Sequence, residues 1–239
     1  MLTEDLLANV RNPTFNHAIS LGCACNTSLY LKELNLKRFS LPYDWIFTNL
    51  DMIKHTIEDD FKSFLDTSLM SDRKVTQASH NFYHQKLFNH RNPKSVREDY
   101  DYYQRCIDRF KQVINSKDNK LFIHTLYQQP QKFHRDYLKF NRKFQNVAFD
   151  LNKLKEFNQF LNSITTNYTL LVIVQNPKQD TSQVRKVLES ENLVVYILDL
   201  LGASSGKFLG YKKDHQNYLD IIQQFNFQLK NSVKESIAV

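Results

Sequence analysis

The chain has 239 residues, of which 41% are hydrophobic, and it contains only four glycines, five prolines and three cysteines. This composition provides for a sizeable packed core and excludes a fibrous or low-complexity chain, while three cysteines exclude the paired disulfide framework of a small secreted domain. The formal net charge of +7 admits an anionic partner, but the basic residues, even the densest group at residues 132–143, are typical of a solvated face rather than a nucleic-acid site.

A cytoplasmic location is expected from the N-terminal sequence and from the unpaired cysteines. Residues 1–15 carry two acidic residues and no long apolar run, so they resemble neither a secretory signal nor a basic transit peptide. No window reaches the roughly 18 consecutive apolar residues that a membrane-spanning helix needs. We therefore expect no membrane span and thiols that stay reduced.

The first predicted elements are a short buried strand at residues 17–22 and a helix at residues 27–34. The strand ends at Gly22, and the leucines of the second segment recur at helical spacing. Cys25 lies between the two. The sequence therefore predicts that Cys25 occupies a turn leading from a strand into the N-terminus of a helix.

An insertion of irregular and helical structure is predicted over residues 51–118. A packed aromatic loop at residues 39–47, interrupted by a proline, precedes it. The insertion begins with a helix for which Asp51 is the expected N-cap. Residues 71–98 are polar and are expected to hold one or two short strands, and a further helix is expected at residues 96–114.

The rest of the chain alternates buried strands with helices. Strands are predicted at residues 120–126, 168–174 and 193–200, and helices at residues 151–164, 181–191 and 214–229. This order is typical of a parallel sheet with right-handed crossovers. We expect a three-layer α/β fold whose mainly parallel sheet has about four core strands flanked by helices. Because nothing resembles a linker, residues 1–239 are expected to form a single domain with peripheral ends at residues 1–15 and 231–239.

Two glycine-marked turns follow the first and the last predicted strand, at Gly22 and at residues 202–210. Parallel sheets bind ligands at the edge where such turns meet. A cysteine at a helix N-terminus can be stabilised as a thiolate, and the free backbone N–H groups can hold an oxyanion. The alternative is that Cys25 is a small buried hydrophobic residue. The turn lacks the spacing of zinc, phosphatase and nucleotide motifs, so we expect no metal and no cofactor.

The run ISLGCACNTSLYLKELNLKRFSLPYDWIF resembles the opening of the putative papain-like cysteine peptidase family, a domain of unknown function. That family has the pattern S-L-G-x-x-C, then a helix, then P-F-D-W. Residues 20–25 match the first part, and residues 42–45 match the second with tyrosine in place of phenylalanine. The family's later H-D-F element is similar to residues 80–82, with asparagine in place of aspartate. The resemblance covers about residues 17–126.

The resemblance implies a peptidase-like hydrolase or acyl transferase with Cys25 as nucleophile, His80 as general base and Asp44 as the group that orients the histidine. A rival base is His215, beside Asp214, because it follows the last strand and its glycine loop. As alternatives, Asp44 would cap a turn, and Asp214 would cap the last helix with His215 in solvent. The expected substrate-binding residues are Gly22, Asn26, Tyr43, Trp45 and Phe82.

A second hypothesis places an anionic ligand in the same crevice. The basic net charge, together with aromatic residues expected near the crevice, favours a glycan-pathway transferase or a binding module for an anionic, nucleotide-linked ligand; these aromatic residues are Tyr43, Trp45, Phe82 and Tyr211. Lys207, Lys212 and Lys213 are expected to attract the charge of the ligand. The expected partner is thus a small-molecule, peptide or glycan substrate. His80, His84 and His90 are close in sequence, but no carboxylate has matching spacing, so they are not expected to bind a metal.

Overall fold

The computed structural model describes residues 13–129, 135–145, 147–178, 180–202, 204 and 206–230. The helices are α1 (Asn26–Glu33), α2 (Leu50–Glu58), α3 (Arg97–Asn115), α4 (Leu151–Ile164) and α5 (Lys212–Gln223). The strands are β1 (Thr14–Phe15), β2 (His17–Ser20), β3 (Met70–Lys74), β4 (Gln77–His80), β5 (His84–Phe88), β6 (Lys120–Tyr127), β7 (Tyr168–Pro177), β8 (Gln183–Glu189), β9 (Leu193–Leu200) and β10 (Asn226–Phe227).

Some predicted features lie outside the described residues. These are most of the two ends expected to be peripheral, namely residues 1–12 and 231–239, and residues 130–134 with the start of the densest basic group. Among the described residues, every helix is too short or too polar to span a membrane.

The central sheet has five strands in the order β2-β6-β7-β9-β8. The strands β2, β6, β7 and β9 run parallel, whereas β8 pairs antiparallel with β9. Every residue of β6 and of β7 is buried, which explains their apolar-rich sequences, since strands covered on both faces do not alternate in polarity. The predicted α/β class with a mainly parallel sheet is confirmed.

Helices cover both faces of this sheet. Leu171 and Ile173 of β7 belong to one buried cluster, together with Tyr30 of α1 and Tyr218 of α5. The residues that alternate with them belong to a second cluster, which includes side chains of α2, α3 and α4. Because successive side chains of a strand point to opposite faces, α1 and α5 pack on one face and the other three helices on the opposite face.

The segment between residues 51 and 118 is more regular than predicted. Strands β3, β4 and β5 form a separate antiparallel sheet, and the predicted helix at residues 96–114 corresponds to α3. The expected N-cap of α2 was wrong. Asn49 has an extended backbone and accepts the Met52 N–H at 2.9 Å. Asp51 lies in the first turn, where its charge complements the helix dipole.

The helix predicted at residues 181–191 is wrong, because these residues form the edge strand β8. Val184 and Leu188 lie four residues apart, a spacing that suits one face of a helix. A register shift between Lys186 and Leu188 inserts one extra residue into the strand. As a result Val184 packs on the α1 and α5 face and Leu188 on the other. The predicted closing helix also ends early, at Gln223.

Candidate active site at the Cys25 turn

The turn between β2 and α1 requires an unusual backbone. Gly22 has φ +79° and the next residue, Cys23, has φ +101°, both in the left-handed region that favours glycine. A Cβ on Gly22 would lie 2.5 Å from Thr48 Oγ1 and 2.8 Å from the Tyr43 carbonyl oxygen. Glycine is therefore needed at position 22 for close approach as well as for its conformation.

Thr48 holds this turn from the neighbouring aromatic loop. Its hydroxyl accepts the Cys23 N–H at 2.7 Å and donates to the Leu21 carbonyl at 2.7 Å. The Thr48 N–H donates to the Cys23 carbonyl at 3.3 Å. The glycine turn and the aromatic loop after α1 are thus one hydrogen-bonded unit, although about 25 residues separate them in sequence.

Cys25 occupies the N-cap position of α1 and makes no capping hydrogen bond with its side chain. It is partly exposed, whereas Cys23 and Cys106 are buried. Burial raises the pKa of the Cys25 thiol to about 11, and the positive charge of Lys207 acts in the opposite direction. The thiol is therefore protonated at neutral pH in this structure and needs a base to become a nucleophile.

His90 is the histidine that forms a hydrogen-bond contact with this thiol. Its Nε2 lies 3.5 Å from Cys25 Sγ. Burial and the charge of Lys207 lower the pKa of His90 below its ordinary value, so the ring is neutral at pH 7 and can accept a proton. Its neighbours fix the loop, since Asn89 Oδ1 accepts from Arg73 at 2.8 Å and Arg91 pairs with Asp99 at 2.7 Å.

His80 points into the core instead. It is 1% exposed, its Nε2 lies 2.9 Å from the Ser63 carbonyl oxygen, and its Nδ1 accepts the Tyr83 N–H at 3.3 Å. Burial lowers the pKa of His80 to about 4. Both ring nitrogens are therefore occupied by backbone groups, and neither hydrogen bond leads to Cys25. The role of His80 as base stays a prediction without a contact to support it.

Asp44 is also buried, and its partners lie on α1, on the aromatic loop and on the segment between them. It accepts the Ser28 hydroxyl at 2.8 Å and the Leu41 N–H at 2.7 Å, and it forms an ion pair with Lys37. None of these contacts involves a histidine. Asp44 thus fixes the first turns of α1 against the loop, which positions the helix that carries Cys25.

His215 and Asp214, the rival base and its neighbour, bind different parts of the protein. His215 Nε2 lies 2.9 Å from Glu33 Oε1, and Glu33 ends α1, about 12 Å along the helix from Cys25 at 1.5 Å per residue. Asp214 is buried and accepts the N–H groups of Leu201 and Gly202 at 3.1 and 3.3 Å. Asp214 therefore anchors the glycine loop, and His215 lies at the far end of the helix.

The predicted substrate-binding residues differ in their accessibility. Tyr43 is buried, and its hydroxyl lies 2.6 Å from Thr56 Oγ1, while Phe82 packs edge to face on Phe144. Trp45 is partly exposed. Gly22 and Asn26 are both buried in the turn itself. Their roles in binding stay predictions, and Tyr43 would have to leave the core to reach a ligand.

The glycine loop after β9 lies directly on the turn. The Asn26 N–H donates to the Gly206 carbonyl at 3.1 Å, and the Leu209 N–H donates to the Tyr30 hydroxyl at 3.1 Å. Lys207, in the same loop, acts electrostatically on both Cys25 and His90. The structure thus joins the two loops that the sequence placed at one edge of the sheet.

Among the described residues, no group of three or more His, Cys, Asp or Glu side chains is arranged to hold a metal ion. His84, one of the three histidines considered for a metal, is bonded to the backbone, with its Nε2 2.8 Å from the Asp136 carbonyl oxygen and its Nδ1 accepting the Lys86 N–H at 2.9 Å.

Comparison with known proteins identifies the family. The model of the family described as "Putative papain-like cysteine peptidase (DUF1796)" matches residues 16–195, which include Cys25 and His90 and most of the chain. The chain belongs to this family. It is also 25% identical over 218 residues to "Uncharacterized protein R408" of Acanthamoeba polyphaga mimivirus, a match that covers 85% of this chain and 96% of that protein. No solved structure matches the chain.

Proposed function

We propose that this member of the family is a cysteine-dependent hydrolase or acyl transferase in which Cys25 is the nucleophile and His90 the general base. The observation that carries the proposal is the 3.5 Å separation of Cys25 Sγ and His90 Nε2 at the N-terminus of α1. A nucleophile within hydrogen-bond reach of a neutral imidazole is the arrangement that such catalysis needs. His90 takes the role that the sequence assigned to His80.

The reaction follows from the protonation states of the two groups. The neutral His90 ring takes the thiol proton as Cys25 Sγ attacks the acyl carbon, because a thiol with a raised pKa carries little thiolate at pH 7. The imidazolium then protonates the leaving group, which departs and leaves a thioester. Water, or another acceptor whose proton returns to His90, attacks the thioester and restores the thiol. The positive charge of Lys207 favours the anionic intermediates.

Substitution of Cys25, which is partly exposed, and of Cys106, which is buried, tests which thiol is the nucleophile. The Cys25→Ala variant should lose acylation by p-nitrophenyl acetate, whereas Cys106→Ala, which changes a buried thiol, should keep the wild-type rate. Acyl transfer at the wild-type rate in Cys25→Ala would refute the proposal.

Two histidine variants test the base. The His90→Ala variant should acylate about 10² to 10⁴ times more slowly, which is the usual contribution of a general base. The His80→Gln variant should react at nearly the wild-type rate, because His80 bonds only to backbone groups of the core. The reverse pattern, with His80→Gln slow and His90→Ala unaffected, would return the role of base to His80.

A second candidate function is a glycan-pathway transferase or a binding module for an anionic or nucleotide-linked ligand. The raised pKa of Cys25 favours it, since most reactive cysteines have lowered pKa values. An anion could then lie at the N-terminus of α1 beside Lys207. In a thermal-shift screen of phosphates and nucleotide sugars, this function requires equal stabilisation of wild type and Cys25→Ala. The absence of any shift at low ionic strength would exclude it.

A further inference from the structure

The first backbone N–H group of α1 is blocked in this structure. The N–H of Asn26, the residue after Cys25, donates to the Gly206 carbonyl oxygen at 3.1 Å. In enzymes whose nucleophile sits on a strand-to-helix turn, the N–H of the residue after the nucleophile is one of the donors that hold the oxyanion. Here a peptide carbonyl of the glycine loop already occupies that donor.

The side chain of Asn26 presents a second donor without a partner. Asn26 is 0% exposed, and its Oδ1 accepts the Thr27 N–H at 2.9 Å. Because a backbone N–H can only donate, this bond fixes which end of the amide is oxygen. The other end, Nδ2, is buried without a hydrogen-bond partner among the described residues. A buried unpaired N–H is costly and is rare in folded proteins.

We propose that Asn26 supplies both donors of an oxyanion hole, its backbone N–H and its Nδ2, and that the Gly206 carbonyl occupies the backbone donor until the acyl oxygen of a substrate displaces it. This inference rests on the proposed function. When Sγ bonds to the acyl carbon, the electron pair of the C=O bond moves to oxygen, which then accepts from both groups of Asn26. The pair returns when the leaving group departs with the proton from His90.

The occupant of the site indicates the class of substrate. Since the backbone N–H of Asn26 already holds the peptide carbonyl of Gly206, this donor accommodates a carbonyl oxygen, as in an ester, a thioester or an amide. The nearest atom to a Cβ built on Gly206 is the Ala24 Cβ, at 3.7 Å, so Gly206 rests on the turn in ordinary van der Waals contact.

The Asn26→Asp variant tests the donor at Nδ2. Aspartate keeps an acceptor for the Thr27 N–H and suits a helix N-terminus, so α1 should still form. The measured quantity is the ratio of two rates at Cys25, acylation by p-nitrophenyl acetate and alkylation by iodoacetamide. Only acylation creates an oxyanion, and the ratio cancels any change in the amount of thiolate.

We expect this ratio to fall about 10²- to 10³-fold in Asn26→Asp, as when an oxyanion donor is removed from other enzymes. An unchanged ratio in a variant that melts as wild type does would overturn the inference. Equal loss of both reactions with normal melting would also overturn it, because Asn26 would then only shape the turn. Acyl transfer that survives Cys25→Ala would instead refute the proposed function itself.

The Gly206→Ala variant tests the displacement of the loop. Gly206 has φ +81°, a conformation that costs a residue with a Cβ enough to shift an equilibrium about five- to thirtyfold. The closed loop should therefore be less populated, and the ratio of acylation to alkylation should rise by up to that factor. Gly210, in the same loop, is not among the glycines with positive φ, so Gly210→Ala is the control. A ratio in Gly206→Ala no higher than in Gly210→Ala would contradict a blocked oxyanion hole.

Discussion

Replacement of Thr48 by valine should destabilise the protein and disorder the Cys25 turn while keeping the shape of the side chain. The hydroxyl accepts the Cys23 N–H and donates to the Leu21 carbonyl, both at 2.7 Å and both buried. Valine would leave the two backbone groups without these partners, at about 1–3 kcal/mol for each buried group. We therefore expect a loss of about 2–6 kcal/mol in the free energy of unfolding for the two groups together, or about 4–24 °C in melting temperature for a chain of this size.

Thr48→Ser is the matched control, because it keeps the hydroxyl and removes one methyl group at a cost of about 1 kcal/mol. Urea unfolding followed by the fluorescence of Trp45 gives the free energies, and the rate of iodoacetamide alkylation reports on Cys25. Only the valine variant should change the alkylation rate. A valine variant as stable as wild type, or a serine variant as unstable as the valine variant, would refute the assignment of the turn's stability to the Thr48 hydroxyl.

Three further predictions concern the titrating groups. Because burial raises the pKa of Cys25 to about 11, the rate of Cys25 alkylation should still rise about tenfold per pH unit well beyond pH 8.5. Lys207→Ala should slow alkylation at a given pH, because the positive charge that favours the thiolate is lost. A rate that reaches a plateau near pH 8.5 would contradict the raised pKa. The pKa of His80 is lowered to about 4, so the unfolded chain binds its proton first, and about 3 kcal/mol of stability should be lost as the pH falls from 6.5 to 4. Urea unfolding should show a smaller loss in His80→Gln, and equal losses would exclude this role. His215→Ala removes a partly exposed contact to Glu33 and an edge-to-face ring contact with Tyr30, so melting should change by a few degrees at most and acylation should not change. Slow acylation in this variant would support His215 as the base.

The position of Cys25 could be predicted from sequence because it depends on local signals. An apolar run that ends at Gly22, followed by leucines at helical spacing, predicts a strand, a turn and a helix, and the structure has these elements in this order. The parallel strands could be predicted equally well from sequence, since burial on both faces produces long apolar runs. Where a local irregularity intervened, the reasoning failed, as at β8, where a bulge separates Val184 and Leu188 onto opposite faces.

The histidine that faces Cys25 could not be chosen by the same means. His80, His84 and His90 all lie in one polar segment, and the motif resemblance favoured the first of them. In the antiparallel sheet, His80 and His84 face each other as a cross-strand pair and are buried, whereas His90 follows β5 on a loop 65 residues from Cys25 in sequence. Which of the three histidines faces Cys25 depends on tertiary packing, and periodicity and spacing in the sequence do not predict it.

The displacement of Gly206 that we propose would also change the surroundings of the Cys25 thiol. Burial is the largest cause of the raised pKa, and the Gly206 contact to Asn26 brings the glycine loop against the turn. On the proposed mechanism, displacement of Gly206 by a substrate carbonyl would reduce the burial of the thiol and lower its pKa towards the ordinary value of a cysteine. The same movement would free the backbone N–H of Asn26 as an oxyanion donor. The resting protein would therefore hold an unreactive thiol, and the substrate that opens the loop would create both the nucleophile and the site that stabilises its product.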